Sequence, residues 1–140
     1  RSQQYGVPFI PLTDLIDQSD VISIHLALSE TTRNLISSTE LASMKRNSIL
    51  INTARGAIVD EVALIKALQT NSIAGAGLDS FEQEPLPKGH PFTTLDNVVL
   101  SPHAGGMAYN GTMRGLEMSV ENLESFASGN PIYVVAKGSR

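Results

Sequence analysis

The chain has 140 residues, 41% of them hydrophobic and 17% charged, which is enough apolar content for one domain with a buried core. Its 10 Lys+Arg against 14 Asp+Glu give a net charge of −4 with no basic run, which argues against a nucleic-acid partner. Cysteine is absent, which excludes disulfides and thiolate metal sites, and no apolar run reaches the roughly 18 residues of a membrane helix. The same features, with a polar Arg1–Tyr5 start that lacks a signal-peptide pattern, predict a cytoplasmic protein; the first residue is not Met, which points to a fragment.

In chain order, Val7 to Ile10 predicts a short strand. Pro11-Leu12-Thr13-Asp14 opens a short helix with Thr13 as its N-cap and Leu15-Ile16 as its buried side. Val21 to Leu26 is β-branched and mostly apolar, as expected of a strand buried on both faces. Ser37-Ser38-Thr39-Glu40 matches a capping box, starting a helix that runs to Met44. Ile49-Leu50-Ile51 is a further apolar strand. Asp60 begins a helix whose Leu64, Ala67 and Leu68 share one face, and Asn71 ends it. Ile73 to Leu78 is a strand of small residues, and Val98-Val99-Leu100 is the last strand, after a Pro- and Gly-rich loop. A long helix spans Asn110 to Ser128, its Met113, Leu116, Val120, Leu123 and Ala127 repeating at helical steps until Gly129 stops it.

Alternating strands and helices predict an α/β fold with a parallel sheet covered on both faces. Right-handed crossovers then bring every strand's C-terminal end to one rim, where open α/β sheets bind ligands. Arg55, Asp79, Glu84 and His103 all follow strands and belong on that rim. An imidazole such as His103 exchanges protons near neutral pH, and Glu84 is the carboxylate available to orient it. The planar fork of Arg55 suits a substrate carboxylate. The three together suit interconversion of a 2-hydroxy and a 2-keto acid, and the hydride requires a nicotinamide cofactor because no side chain can carry it. Each residue also has a plainer reading: a surface ion-pair partner for Arg55, a solvated loop acid for Glu84, a turn histidine for His103. His25 reads either as a ligand contact or as a packed strand end. His90 reads as solvated, and Thr31-Thr32 as ligand contacts or turn caps. The three histidines show no metal-ligand spacing. Gly75-Ala76-Gly77-Leu78-Asp79-Ser80 begins like the dinucleotide fingerprint, but its third glycine is missing and the run lies within a strand, so close packing is the better reading.

Several ordered stretches carry a resemblance. They are Ser19-Asp20-Val21, His25 through Thr32, Ile51-Asn52-Thr53-Ala54-Arg55-Gly56 with Val59-Asp60-Glu61, Ala74 through Asp79, Glu82-Gln83-Glu84-Pro85, Asn97 through His103, and Glu121-Asn122-Leu123. From Leu12 to Val135 the chain resembles the C-terminal half of the D-isomer-specific 2-hydroxyacid dehydrogenases, a family that includes D-3-phosphoglycerate dehydrogenase. The resemblance implies a partial doubly wound parallel sheet, the second half of a Rossmann-type NAD-binding domain, over residues 1–106. Residues 107–140 would be a connecting helix and tail returning toward a substrate domain. It implies Arg55 as the substrate-carboxylate ligand, His103 as the acid/base and Glu84 as its partner. Asp79 would hold the nicotinamide carboxamide, Thr53, Ala54, Gly105 and Gly106 would line the nicotinamide ribose side, and Leu26, Ala27 and Thr32 the adenosine side; the family often has Pro where Ala27 stands. The implied cofactor is NAD, with NADP not excluded, and the implied substrate is a small 2-hydroxy or 2-keto acid. The family's Gly-rich phosphate loop and ribose-binding acidic residue would precede Arg1. The expectation is therefore a chain inactive in isolation, and either a homo-oligomer or a missing N-terminal segment to cover an exposed apolar strand edge and uncovered helix faces. Alternatives from the same superfamily are an NAD-responsive co-repressor module and an inactive remnant.

Overall fold

A computed structural model describes residues 5–107 and 109–134. Residues 108 and 135–140 of the expected connecting helix and tail lie outside them. The chain divides into two compact units, Arg1–His103 and Ala104–Arg140.

The first unit is a four-stranded, wholly parallel sheet in the order β1 (Val21–Ile24), β2 (Ile49–Asn52), β3 (Gly75–Leu78), β4 (Val98–Leu100). The register pairs Ile24 with Asn52, Asn52 with Leu78 and Leu78 with Leu100. The four C-terminal ends are therefore level, and the chain leaves the sheet from one rim at each of them. Three helices, α1 (Leu12–Gln18), α2 (Ser38–Ser43) and α3 (Glu61–Gln69), pack in a row, α1 against α2 and α2 against α3.

Cover on both faces was expected; within this unit the strands instead alternate. Ile22, Ile24, Leu50, Ala76 and Leu78 are buried, while Val21, Ile49 and Val99 are 59%, 40% and 75% exposed. The reason is topological. Strands that add to the sheet in sequence order through right-handed crossovers put every intervening helix on the same side. The core lies on that side, where Leu50, Ile58, Leu64, Leu68 and Ile73 are at most 2% exposed. Each such side chain contributes about 1.5–3 kcal/mol of transfer free energy.

Helix starts follow local chemistry. Ser37 caps α2: its hydroxyl accepts from Thr39 N at 3.2 Å, and Glu40 Oε2 accepts from the Ser37 amide at 2.9 Å and its hydroxyl at 2.5 Å. The Ser37 hydroxyl, then its amide, holds the Glu40 carboxyl below the ordinary glutamate range. Asp60 caps α3, accepting from Ala63 N at 3.0 Å, and Asn71 takes up the left-handed conformation (φ 51°) just beyond its end. The expected cap at Thr13 is not formed. Pro11 occupies the N-cap of α1, and Thr13 donates to Asp14 instead, at 3.3 Å. Nor do residues 7–10 form a strand. They are exposed coil, since Pro8 has no amide to give a sheet and Pro11 ends the segment. In β3 the glycines serve packing, as expected: a Cβ on Gly75 would lie 2.7 Å from Asn97 O, and one on Gly77 3.0 Å from Ile51 Cδ1.

The second unit holds α4 (Tyr109–Ala127), stopped by Gly129 at φ +78°, with Gly129 N donating to Phe126 O at 3.1 Å and Asn130 N to Ser125 O at 2.9 Å. Its apolar stripe of Met113, Leu116, Val120 and Leu123 is exposed. No helix among the described residues is long and apolar enough to cross a membrane.

Candidate functional site

Four rim segments of the first unit carry the predicted groups. After β2 the chain turns sharply, and the turn is tied from below by Asn52, which is 1% exposed. Asn52 Oδ1 accepts from Ala54 N at 3.1 Å and its Nδ2 donates to Arg55 O at 2.9 Å. One buried amide thus fixes both ends of the turn that presents Arg55. The Arg55 side chain is exposed and rests on its own loop, Nη1 donating to Ala54 O at 2.7 Å. Gly56 opens a 3-10 turn (Gly56–Ile58) that lies directly against the backbone of Phe81 and Glu82.

That contact joins the Arg55 turn to the next one. Glu84 uses both oxygens: Oε1 accepts from Phe81 N at 3.0 Å and Oε2 lies 2.8 Å from His103 Nδ1. His103 follows β4 in a left-handed conformation, φ 54°. With Nδ1 held by Glu84, Nε2 is the ring nitrogen left to exchange a proton with a ligand. Arg55, Glu84 and His103 line one cleft of about 430 Å³, with Arg33, Phe81 and Glu82 among its other walls. The sequence expectation that the three groups share one mouth of the sheet is met in space. An adjoining cleft of about 500 Å³ is lined by His25, Leu26, Ala27, Leu28, Thr53, Ala54 and Arg55, so Arg55 and Leu28 border both.

The other predicted residues fall in different places. His25 is exposed beside the second cleft, with Nε2 2.8 Å from Ser23 Oγ, rather than a packed strand end. The Thr32 hydroxyl turns into its own loop, donating to Ala27 O and accepting from Ser29 N, each at 2.8 Å. Asp79 is buried at the end of β3, where its Oδ1 accepts from Ser101 Oγ at 2.6 Å and its amide donates to Asn52 O at 3.0 Å. Gly105 and Gly106 belong to the second unit, in a turn closed by Met107 N donating to Ala104 O at 2.9 Å. His90 is not solvated as expected. Its side chain is 14% exposed, with Nε2 3.1 Å from Glu61 Oε1. No sequence signal marked that pair, because its members lie 29 positions apart in unrelated elements. Asn52 was likewise passed over, although an Asn at a strand end before a turn is the available signal.

The Phe81 amide, then His103, holds the Glu84 carboxyl below the ordinary glutamate value of 4.5. Because the folded value is depressed, the contact is fully present above the unfolded value and is lost as pH falls through the folded one. The expected result is a Glu84 side-chain ¹³C titration midpoint below 4.5; a midpoint at or above it would show the two hydrogen bonds absent in solution.

The volumes suit small-molecule clefts. The larger offers apolar walls from Leu26 and Leu28, the exposed Thr53 and the Arg55 cation at strand C-termini, a setting that fits a dinucleotide's ring and ribose. Among the described residues no group of three or more His, Asp or Glu side chains is placed to hold a metal ion.

Comparison with known proteins bears on the same residues. The model of the D-isomer specific 2-hydroxyacid dehydrogenase family, NAD binding domain, matches residues 1–105. Glyoxylate reductase of Korarchaeum cryptofilum is 47% identical over 127 residues, covering 91% of this chain and 38% of that protein. Glyoxylate/hydroxypyruvate reductase B of Serratia proteamaculans is 44% identical over 127 residues, 91% of this chain and 39% of that protein. Among solved structures, an acyclic imino acid reductase in complex with NADPH and D-Arg superposes with a TM-score of 0.87 at 34% identity, over 94% of this chain and 42% of that one. An NAD-complexed D-isomer specific 2-hydroxyacid dehydrogenase from Lactobacillus delbrueckii ssp. bulgaricus gives 0.84 at 27% identity, over 95% and 44%. The chain therefore spans about two fifths of the length of these relatives.

Proposed function

The chain belongs to the D-isomer-specific 2-hydroxyacid dehydrogenase family, and from that premise we propose that it is the catalytic part of an NAD-dependent oxidoreductase that interconverts D-2-hydroxy acids and 2-keto acids. The observation that carries the reading is the 2.8 Å His103–Glu84 contact in the cleft that Arg55 also lines.

Arg55 pairs with the substrate carboxylate through its planar fork and polarises the neighbouring carbonyl. His103 gives a proton from Nε2 to the carbonyl oxygen during reduction and takes it back during oxidation. Glu84 keeps the proton-bearing Nδ1 turned inward and stabilises the cationic ring. The nicotinamide, when bound, supplies or accepts the hydride. In the adjoining cleft Thr53 and Ala54 would hold the nicotinamide ribose side of the cofactor and Leu26 and Ala27 its adenosine side, with Thr32 bracing the Ala27 carbonyl. Asp79, buried under the rim, anchors Ser101 and the entry to His103, and it is the residue that would hold the carboxamide. NAD is the proposed cofactor and NADP the alternative, in the cytoplasm.

Relatives carry these stretches within much longer chains, which supports two further parts of the reading. The 140 residues alone turn over no substrate. The open sheet face at Val21, Ile49 and Val99 is covered in the working protein by another segment or a second copy.

The test is NADH oxidation by the full-length protein with glyoxylate, hydroxypyruvate, pyruvate and phosphohydroxypyruvate. Turnover of none of them would end the proposal. Arg55→Ala is expected to lower kcat/KM for the accepted acid by about 10²-fold or more, since two charge-assisted hydrogen bonds are lost. Arg55→Lys recovers only part, because an ammonium lacks the fork.

A further inference from the structure

Resting on that functional reading, we propose that Glu61 and His90 are a positioning pair that sets the Glu84–His103 geometry from behind. Glu61 is the first residue of α3, and its two oxygens go to two different segments. Oε2 accepts from Glu82 N at 3.3 Å, and Oε1 lies 3.1 Å from His90 Nε2. The His90 tautomer follows from its other contact. Phe92 N donates to His90 Nδ1 at 3.3 Å, so Nδ1 carries no proton and Nε2–H donates to Glu61.

The pair is shielded, with side chains 14% and 19% exposed. The His90 ring packs on Phe92 at 5.0 Å, and Phe92 lies 6.5 Å from Phe81. Glu61 thus clamps the turn at Glu82, one residue after the Phe81 amide that fixes Glu84 Oε1. His90 fixes the loop that leaves that turn. Neither residue lines the cleft that holds Arg55, Glu84 and His103. A carboxylate with one oxygen on Glu82, inside the Phe81–Glu84 turn, and the other on His90, in the loop that follows it, holds the turn in register. Without the clamp Glu84 gains freedom to leave His103, and a small misplacement of an acid/base pair is costly.

The experiment uses the full-length protein, ¹⁵N-labelled at histidine, with variants Glu61→Ala, His90→Leu and His90→Gln. Glu61→Ala and His90→Leu are expected to shift the His103 ring resonances and to lower kcat per NADH-binding site by roughly tenfold or more. KM for NADH should hold within about twofold, because no cofactor contact is touched. His90→Gln keeps a donor to Glu61 and should restore most of kcat. Unmoved His103 resonances and unchanged kcat in Glu61→Ala, with only a lower Tm, would overturn the inference and leave the pair a stabilising contact. A wild-type protein with no turnover would sink the dehydrogenase reading, and the His103 resonances would still decide for or against the positioning pair.

Discussion

Replacing His103 with glutamine in the full-length protein is expected to lower kcat for 2-keto-acid reduction by about 10²–10⁴-fold, with little change in NADH affinity. The size follows from the site's economy of groups. Among the described residues that line the cleft shared by Arg55 and Glu84, His103 is the only imidazole, and the carboxylate beside it is already committed through both oxygens. Glu84→Gln probes the same device. Its amide has one acceptor oxygen where two are used, so either Phe81 N or His103 Nδ1–H loses its partner. If the amide nitrogen turns to His103 it donates to Nδ1, which disfavours the cationic ring that reduction consumes. A fall of about 10²-fold in kcat is expected for this variant. Steady-state NADH absorbance measures both. More than a tenth of wild-type kcat remaining in His103→Gln would remove the proton-transfer role from this residue.

Legibility in the sequence followed the range of the interactions. The Ser37–Glu40 box, the Asp60 cap and the Gly129 stop are closed within a turn of helix, and each is where the residue types place it. The rim position of Arg55, Glu84 and His103 was also legible, because strand polarity needs only the order of elements. Three things were not. The one-sided helix layer depends on the strand order β1-β2-β3-β4, which periodicity does not encode. The Glu61–His90 pair joins a helix start to a Pro-rich loop, and a histidine in such a loop has no local mark of burial. Residues 7–10 have strand-forming side chains, yet Pro8 and Pro11 overrule them. The candidate site shows the same division: Arg55, Glu84 and His103 stood out, while Asn52 and Gly56, which position the turns that carry them, are defined by three-dimensional contacts.

Gly56 carries the largest expected effect on the folded state. A Cβ there would sit 2.0 Å from Phe81 C, 2.3 Å from Phe81 O and 2.4 Å from Glu82 N. All three are backbone atoms, so no side chain can swing aside, and the two turns must part. Gly56 itself is not in a left-handed conformation, so the penalty is steric rather than conformational. Gly56→Ala should therefore cost about 3 kcal/mol or more, at the upper end for overpacking. It should also act beyond stability. The clash lies between the segment that presents Arg55 and the segment that presents Glu84, so folded protein should lose kcat as well. Gly115→Ala is the control: nothing lies within 4 Å of its added methyl in α4, and alanine there should stabilise by about 0.5–1 kcal/mol. Urea unfolding and kcat per NADH-binding site separate the two effects. A Gly56→Ala protein that unfolds at the wild-type midpoint and turns over normally would mean that the Arg55 and Phe81–Glu84 turns do not touch in solution, and the site would lose the contact that brings its cation to its acid/base pair.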